Sequence, residues 1–260
     1  MKLLSSIRQK VRSGTLPLSL QYLCNWLVRW KHEPAAFFSE WWIAIRYHRV
    51  WRQSFENKTE PLDHGNPWLA GNVIAFMKAE VKPSHTVFEW GAGSSTFFWA
   101  AYTAQVETIE HDPEWHDKVQ TALNKNQIKN VHAVCVRPER RLGDGDPADP
   151  RAYSSHRPEW DEYQFERYVR TIEDFADDAF DWVCIDGRAR PSCLLAGKPK
   201  VKPGGWIMLD NSRRDHYQPA LSGFAAWRHV RITGPVCGSR NFVETLFLQR
   251  PHNEASVGAA

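Results

Sequence analysis

The segment Val87-Phe88-Glu89-Trp90-Gly91-Ala92-Gly93-Ser94-Ser95-Thr96 constrains this chain more than any other. A short apolar run ends in an acid and meets two glycines; hydroxyl residues follow, then the aromatic run Phe97-Phe98-Trp99. That order predicts a buried strand, a tight loop and a helix. Glycine at positions 91 and 93 removes side chains that would hold a ligand off the backbone, and the start of a helix offers N–H groups without intrahelical partners. Such a unit suits a nucleotide-type ligand, and a strand feeding a helix is the building block of α/β folds with a parallel sheet.

The detail of the loop narrows the ligand. A dinucleotide loop takes a third glycine or alanine where this chain has Thr96, and it turns amides toward a pyrophosphate. Here Glu89 stands beside the loop, and a carboxylate repels a pyrophosphate but favours a cationic ligand carrying an ammonium and a sulfonium. Val106-Glu107-Thr108-Ile109-Glu110 reads as the second strand. It ends about 19 residues past Gly91 in Glu110, an acid placed to take both hydroxyls of a ribose.

At these residues the chain resembles the class I S-adenosylmethionine-dependent methyltransferases, whose first motif is an acid followed by Gly-x-Gly at the first strand-to-helix turn. The resemblance continues through Asp181-Trp182-Val183-Cys184-Ile185-Asp186-Gly187, similar to the family's fourth strand. It extends to Val201-Lys202-Pro203-Gly204-Gly205-Trp206-Ile207-Met208-Leu209-Asp210-Asn211, similar to its turn and fifth strand. It implies S-adenosyl-L-methionine held by Glu89, Gly91, Gly93, Ser95, Thr96 and Glu110, with Asp186 between cofactor and acceptor. An aminopropyltransferase of the spermidine synthase type is the nearest enzymatic rival, but its signature ends in Asp-Pro where this chain has Asp186-Gly187.

Transfer of a methyl group from a sulfonium needs alignment of donor and acceptor, and an acceptor lone pair free of its proton. Asp186 closes one strand, and Asp210 and Asn211 close its expected neighbour, so the three are the candidate catalytic residues. The chain is partly similar here to metal-dependent catechol and caffeoyl-type O-methyltransferases, in which matching Asp, Asp and Asn positions hold Mg²⁺. In that subgroup a lysine follows the first aspartate by three positions, whereas this chain has Ala189 between Arg188 and Arg190. Readings with and without a metal both stand at this point, as does the plainer one that the aspartates cap strands. Arg188, Arg190, Arg213 and Arg214 lie near the same strand ends; they suit recognition of a carboxylate, sulfate or phosphate on the acceptor, and equally fit solvated loop charges, the reading favoured for Arg214. His216 and Tyr217 are candidate base and acceptor contacts.

Strands are expected at 86–89, 106–110, 131–136, 181–186, 206–210, 229–232 and 243–248, with helices between the earlier ones. The fold class is therefore α/β: a doubly wound, mostly parallel seven-stranded sheet, Rossmann-like and of the methyltransferase type, with an N-terminal helical extension. The domain reading is a tryptophan-rich helical cap over 1–62, a cofactor-binding domain over 63–250 and a tail from 251 to 260. Within the cap, Leu23, Trp26, Leu27 and Trp30, then Phe37, Phe38, Trp41, Trp42, Ile45 and Trp51, recur at helical spacing. Such helices cover a sheet or roof an acceptor pocket; peripheral contact with a membrane or a protein partner is the other role open to them. Pro67 is expected in the first turn of a helix through Ala79, with Trp68, Leu69, Val73, Ile74 and Met77 inward. Residues 138–170 form an insertion, a lid or a surface excursion, carrying Trp160, Tyr163, Phe165 and Tyr168. Its Gly143-Asp144-Gly145-Asp146 run lacks the closing glutamate of a calcium loop.

A net charge of +3 is too small to make nucleic acid the expected partner, so the acceptor is read as a small molecule. Five widely spaced cysteines argue against a disulfide framework. The first apolar run is too short for a signal peptide and none reaches transmembrane length, which gives a cytoplasmic reading. A non-catalytic module that keeps the fold and docks through its aromatic helices is the alternative from a different functional class.

Overall fold

The computed structural model describes residues 17–32, 42, 45–49, 51–54, 62, 67–141, 145–236 and 242–252. Contacts divide the chain into two units, one within Met1–Glu80 and Ile232–Glu244, the other within Val81–Arg231 and Thr245–Ala260.

All seven expected strands form one sheet: β1 Thr86–Trp90, β2 Gln105–Glu110, β3 Val131–Cys135, β6 Phe180–Ile185, β7 Val201–Leu209, β8 Arg228–Pro235 and β9 Phe242–Gln249. Their order is β3-β2-β1-β6-β7-β9-β8. The pairs β2·β3, β1·β2, β1·β6 and β6·β7 are parallel and β7·β9 is antiparallel. From β1 the chain winds outward to β2 and β3, then returns to place β6 on the other side of β1. That reversal opens a crevice at the carboxyl ends of β1 and β6, where ligands bind in open α/β sheets. β7 begins five residues before the predicted strand, and its pairing with β6 jumps from Phe180↔Val201 to Trp182↔Trp206. The extra residues include Gly204, whose φ of +80° absorbs the irregularity.

The core of the larger unit follows from the strand sequences. Phe88 and Trp90 of β1, Val183 and Ile185 of β6, and Ile207 and Leu209 of β7 alternate onto one apolar face and are fully buried. Helices α3 Ser94–Tyr102, α4 Pro113–Lys125 and α6 Arg190–Gly197 connect the parallel strands. Asp112 caps α4 by accepting from the amides of Glu114 and Trp115, and Pro113 sits where no amide is needed. The insertion contains a two-stranded antiparallel ribbon, β4 Glu139–Arg140 with β5 Tyr163–Gln164, and the short helix α5 Glu166–Arg170. Phe165 and Tyr168 are completely buried within the main core, and the Trp90 indole donates to the Tyr168 carbonyl at 3.0 Å. The insertion is thus fastened to the end of β1, beside the glycine loop, and is an integral part of this unit. Leu142, Gly143 and Asp144 lie outside the described residues.

In the smaller unit, α1 Leu18–His32 and α2 Gly71–Glu80 are helical, as are residues 45–49 and 51–54. α2 starts four residues later than predicted, because Ala70 forms a bridge with Val236 and Asn72 donates to the Thr233 carbonyl. Leu69, Val73 and Met77 are buried as expected, but Trp68 is exposed. On α1, Tyr22 packs with Trp51 and Phe242, while Leu20, Leu23 and Leu27 are exposed. The inward face of α1 therefore differs from the one predicted. Phe37, Phe38, Trp41 and the side chain of Trp30 lie outside the described residues. No helix among the described residues is long and apolar enough to cross a membrane.

Candidate functional site

The glycine loop leaves β1 exactly where the sheet reverses, and its two glycines differ in purpose. Gly91 has φ +98°, and a Cβ there would lie 2.8 Å from the Gly187 nitrogen and 2.9 Å from its Cα. Gly187 in turn faces the Tyr168 hydroxyl, which a Cβ would meet at 1.9 Å. The requirement for glycine at 91 is therefore the backbone approach of β1 to β6, a partner that spacing along the sequence does not reveal. Among the described residues, a Cβ on Gly93 would meet nothing within 4 Å. Open space at that position is what a ligand laid over the loop needs. The amides of both glycines point into the protein: Gly91 N–H donates to the Ile109 carbonyl at 2.8 Å and Gly93 N–H to Thr96 Oγ1 at 3.0 Å.

Glu89 is buried beneath this loop. Ser95 Oγ donates to its Oε1 at 2.5 Å, and Thr96 Oγ1 and Thr108 Oγ1 donate to Oε2 at 2.5 and 2.8 Å. Burial pushes its pKa up to about 7 against the opposing pull of these hydroxyls. Glu89, Ser95 and Thr96 thus hold the loop against β2, and the Trp115 indole pins it from α4 by donating to the Ala92 carbonyl at 2.7 Å. Thr108 and Trp115 were missed by sequence reasoning, since neither belongs to the glycine motif.

Glu110 closes β2 and is buried. Its Oε1 accepts from the amides of His111 and Asp112 at 2.7 and 2.9 Å and meets the His111 ring at 2.6 Å. Oε2 has no hydrogen-bond partner among the described residues. The carboxylate is oriented through one oxygen and free to accept through the other.

Asp186 and Asp210 converge above β6 and β7 as expected, but a guanidinium stands between them. Arg190 is buried and donates to the Gly187 carbonyl at 3.1 Å, the Asp210 carbonyl at 2.5 Å and the Asp186 carbonyl at 2.7 Å. It also meets Asp186 Oδ1 at 2.7 Å and lies 3.9 Å from Asp210 Oδ2. Asp210 accepts from Thr245 Oγ1 at 2.9 Å and from the Asn211 amide. Burial and the charge of Asp186 raise its pKa to about 7 even with Arg190 present. Asn211, at φ +55°, accepts from Arg214 at 3.0 Å. This donor set does not fit Mg²⁺, because the side chains that would ligate the ion already face a fixed cation and an amide N–H. No group of three or more His, Cys, Asp or Glu side chains suited to a metal occurs among the described residues. The Asp186 side chain, unlike that of Asp210, is partly exposed, at 36%.

Beside Asp186 lies a small cleft, open to solvent. Arg188, Arg190, His216 and Tyr217 line it, and so do Ser154, Ser155 and His156 of the insertion. Arg214 donates to a His156 ring nitrogen at 2.9 Å and to the Tyr217 hydroxyl at 3.1 Å. The rings of His156 and His216 are 4.7 Å apart. Burial, then the charge of Arg214, lowers both histidines, His156 to about 4. Both imidazoles are neutral at pH 7.

A sheet in this order, with a glycine loop after its first strand and an acid closing the second, is the methyltransferase-type Rossmann-like fold. No family model and no curated protein matches the chain. Among solved structures, it is similar to precorrin-6y C5,15-methyltransferase from Geobacter metallireducens, with 15% identity over 68% of this chain and 86% of that one, at a TM-score of 0.46. A SAM-dependent methyltransferase from Aquifex aeolicus shares 13% identity over 70% and 90% of the two chains, at a TM-score of 0.40. The tRNA (m1A58) methyltransferase TrmI from Aquifex aeolicus shares 15% over 68% and 66%, at 0.42. At such distances the functional reading rests on this chain's own residues.

Proposed function

We propose that this protein is an S-adenosyl-L-methionine-dependent methyltransferase acting on a small-molecule or sugar-like acceptor, at oxygen. The observation that carries the reading is the open space over Gly93 after β1, together with a Glu110 carboxylate at the end of the neighbouring β2 that is oriented through one oxygen and free at the other. S-adenosyl-L-methionine supplies a methyl carbon activated by its sulfonium. On this reading Glu110 accepts from the ribose hydroxyls, and the Gly91–Gly93 backbone lies along the amino-acid end of the cofactor. Glu89, Ser95 and Thr96 keep the loop in place rather than touching the ligand.

The exposed edge of Asp186 lies between cofactor and acceptor. Arg190 is paired with Asp186 and Asp210 and fixes the two strand ends, Asn211 holds Arg214 in position, and no part of this reading uses Mg²⁺. His216, neutral at pH 7, is able to take the proton that the acceptor oxygen loses, and Arg188 and Tyr217 contact the acceptor. The modest net charge favours a small acceptor over nucleic acid.

Calorimetric titration with S-adenosylmethionine and S-adenosylhomocysteine, with NAD as control, tests the reading. Micromolar binding of both that Glu110→Ala abolishes is the expected result; no heat from folded protein refutes it. A second reading, docking of the N-terminal helix on a membrane or partner, is supported by the exposed Leu20, Leu23 and Leu27 on α1. Liposomes that fail to sediment the full chain would remove its membrane form.

A further inference from the structure

The cleft beside Asp186 has an unbalanced charge. Among the described residues that line it, none is a carboxylate. Arg190 is neutralised by Asp186 and Asp210, but neither Arg188 nor Arg214 has an ion-pair partner among the described residues. Arg188 Nε is buried without a hydrogen-bond partner. Burial and neighbouring arginines weaken the hold of both guanidiniums on their protons, the signature of like charges crowded away from water. Two full positive charges facing one partly enclosed space call for an anion of matching charge.

The remaining groups specify its shape. Ser155 Oγ accepts from the Arg157 amide at 3.3 Å, which leaves its own proton to donate inward. The neutral ring of His216 carries one N–H, and His156, whose ring nitrogens lie 2.9 and 3.3 Å from an Arg214 nitrogen, holds that guanidinium at the cleft wall. These donors come from the insertion on one side and the segments after β6 and β7 on the other, so they face each other across the space. Donors on two facing sides suit an oxyanion that presents several oxygens, and a charge of two selects a phosphate monoester over a diester, a sulfate ester or a carboxylate.

We propose that this cleft is a phosphate-monoester subsite and that the methyl acceptor is a phosphorylated small molecule. Arg188 and Arg214 take the charge of the phosphoryl group, and Ser155 closes on it from the insertion, where His156 holds Arg214. Gly187 both lines the cleft and abuts Gly91, so a phosphoryl group held here leaves the rest of the acceptor at Asp186. The identification of the ligand as the acceptor rests on the methyltransferase reading; the anion site itself does not.

The test is calorimetric titration of the full chain with inorganic phosphate, phenyl phosphate, diphenyl phosphate and acetate, alongside S-adenosylhomocysteine. Inorganic phosphate and phenyl phosphate should bind with Kd of about 0.1–1 mM, and the diester and acetate about tenfold more weakly or worse. Arg188→Gln and Arg214→Gln should each weaken phenyl phosphate about tenfold while the affinity for S-adenosylhomocysteine stays within about twofold. Should either variant fail to fold, Ser155→Ala and His156→Ala on the insertion side carry the same expectation at about threefold. Equal binding of the diester would mark a nucleic-acid-like backbone site and overturn the proposal. Binding of inorganic phosphate alone would mark a site for the free ion, and no phosphate binding by folded protein would remove the site; either overturns the proposal too. Phosphate binding without S-adenosylhomocysteine binding would instead overturn the methyltransferase reading and leave the anion site standing.

Discussion

Alanine at Gly91 and alanine at Gly93 should have opposite consequences, although the two positions look equivalent in the sequence. At Gly91 the added methyl enters a backbone with φ +98°, which costs about 1–3 kcal/mol for a side-chain-bearing residue. It also lies 2.8 Å from the Gly187 nitrogen, and backbone atoms cannot rotate aside as a side chain would. Overpacking of that kind adds about 1–3 kcal/mol. The combined loss, roughly 2–6 kcal/mol, is a large part of the roughly 5–15 kcal/mol that holds a domain folded. At about 2–4 °C per kcal/mol for a chain of this size, Gly91→Ala should melt roughly 5–20 °C below the parent. At Gly93 the backbone is extended, with φ 179°, and no atom of the described residues lies within 4 Å of the new Cβ. Only the weaker preference of alanine for the first position of a helix applies, up to about 1 kcal/mol. Gly93→Ala should therefore melt within about 4 °C of the parent but bind S-adenosylhomocysteine about tenfold more weakly or worse, because its methyl occupies the ligand's space. Differential scanning calorimetry and titration calorimetry on the two variants decide it. Unchanged affinity in Gly93→Ala would refute a ligand over the loop, and an unchanged melting temperature in Gly91→Ala would refute the tight approach of β1 to β6.

Arg190→Lys should lower stability by about 3–5 kcal/mol, because an ammonium cannot reproduce the fork between Asp186 and Asp210; urea unfolding reads this, and a loss under 1 kcal/mol would count against it. Glu110→Gln keeps a carbonyl oxygen for the His111 and Asp112 amides, so it should melt close to the parent while S-adenosylhomocysteine affinity falls about tenfold, and unchanged affinity would remove Glu110 from the site. Glu89 keeps its proton to about pH 7 when folded but loses it near the usual carboxylate value when unfolded. Its contribution is therefore fully present below about pH 4 and declines as pH rises to about 7, where it has fallen by roughly 3 kcal/mol. Melting temperatures between pH 5 and 8 should consequently fall less steeply in Glu89→Gln than in the parent, and parallel curves would contradict the assignment. Titration with Mg²⁺ should give no saturable heat and leave S-adenosylhomocysteine affinity unchanged; saturable binding lost in Asp210→Asn would restore the metal site.

The sequence by itself determined the sheet and the loop. Each strand is an apolar run bounded by turn residues, and the Glu89-to-Thr96 segment can only be strand, tight turn and helix, so these features are written in residues next to one another. The positions of Asp186 and Asp210 at neighbouring strand ends followed from the same local signals. Tertiary structure alone decided what those residues face. Gly91 is needed because of Gly187, Glu89 is satisfied in part by Thr108 from the next strand, and the place where a metal was weighed is taken by Arg190. Similarly, His156 reaches Arg214 across 58 positions of sequence, which makes the insertion a wall of the cleft instead of a surface excursion. Partners of this kind are chosen by which strand lies beside which and how deeply each charge is buried, and a chain's local pattern carries neither quantity.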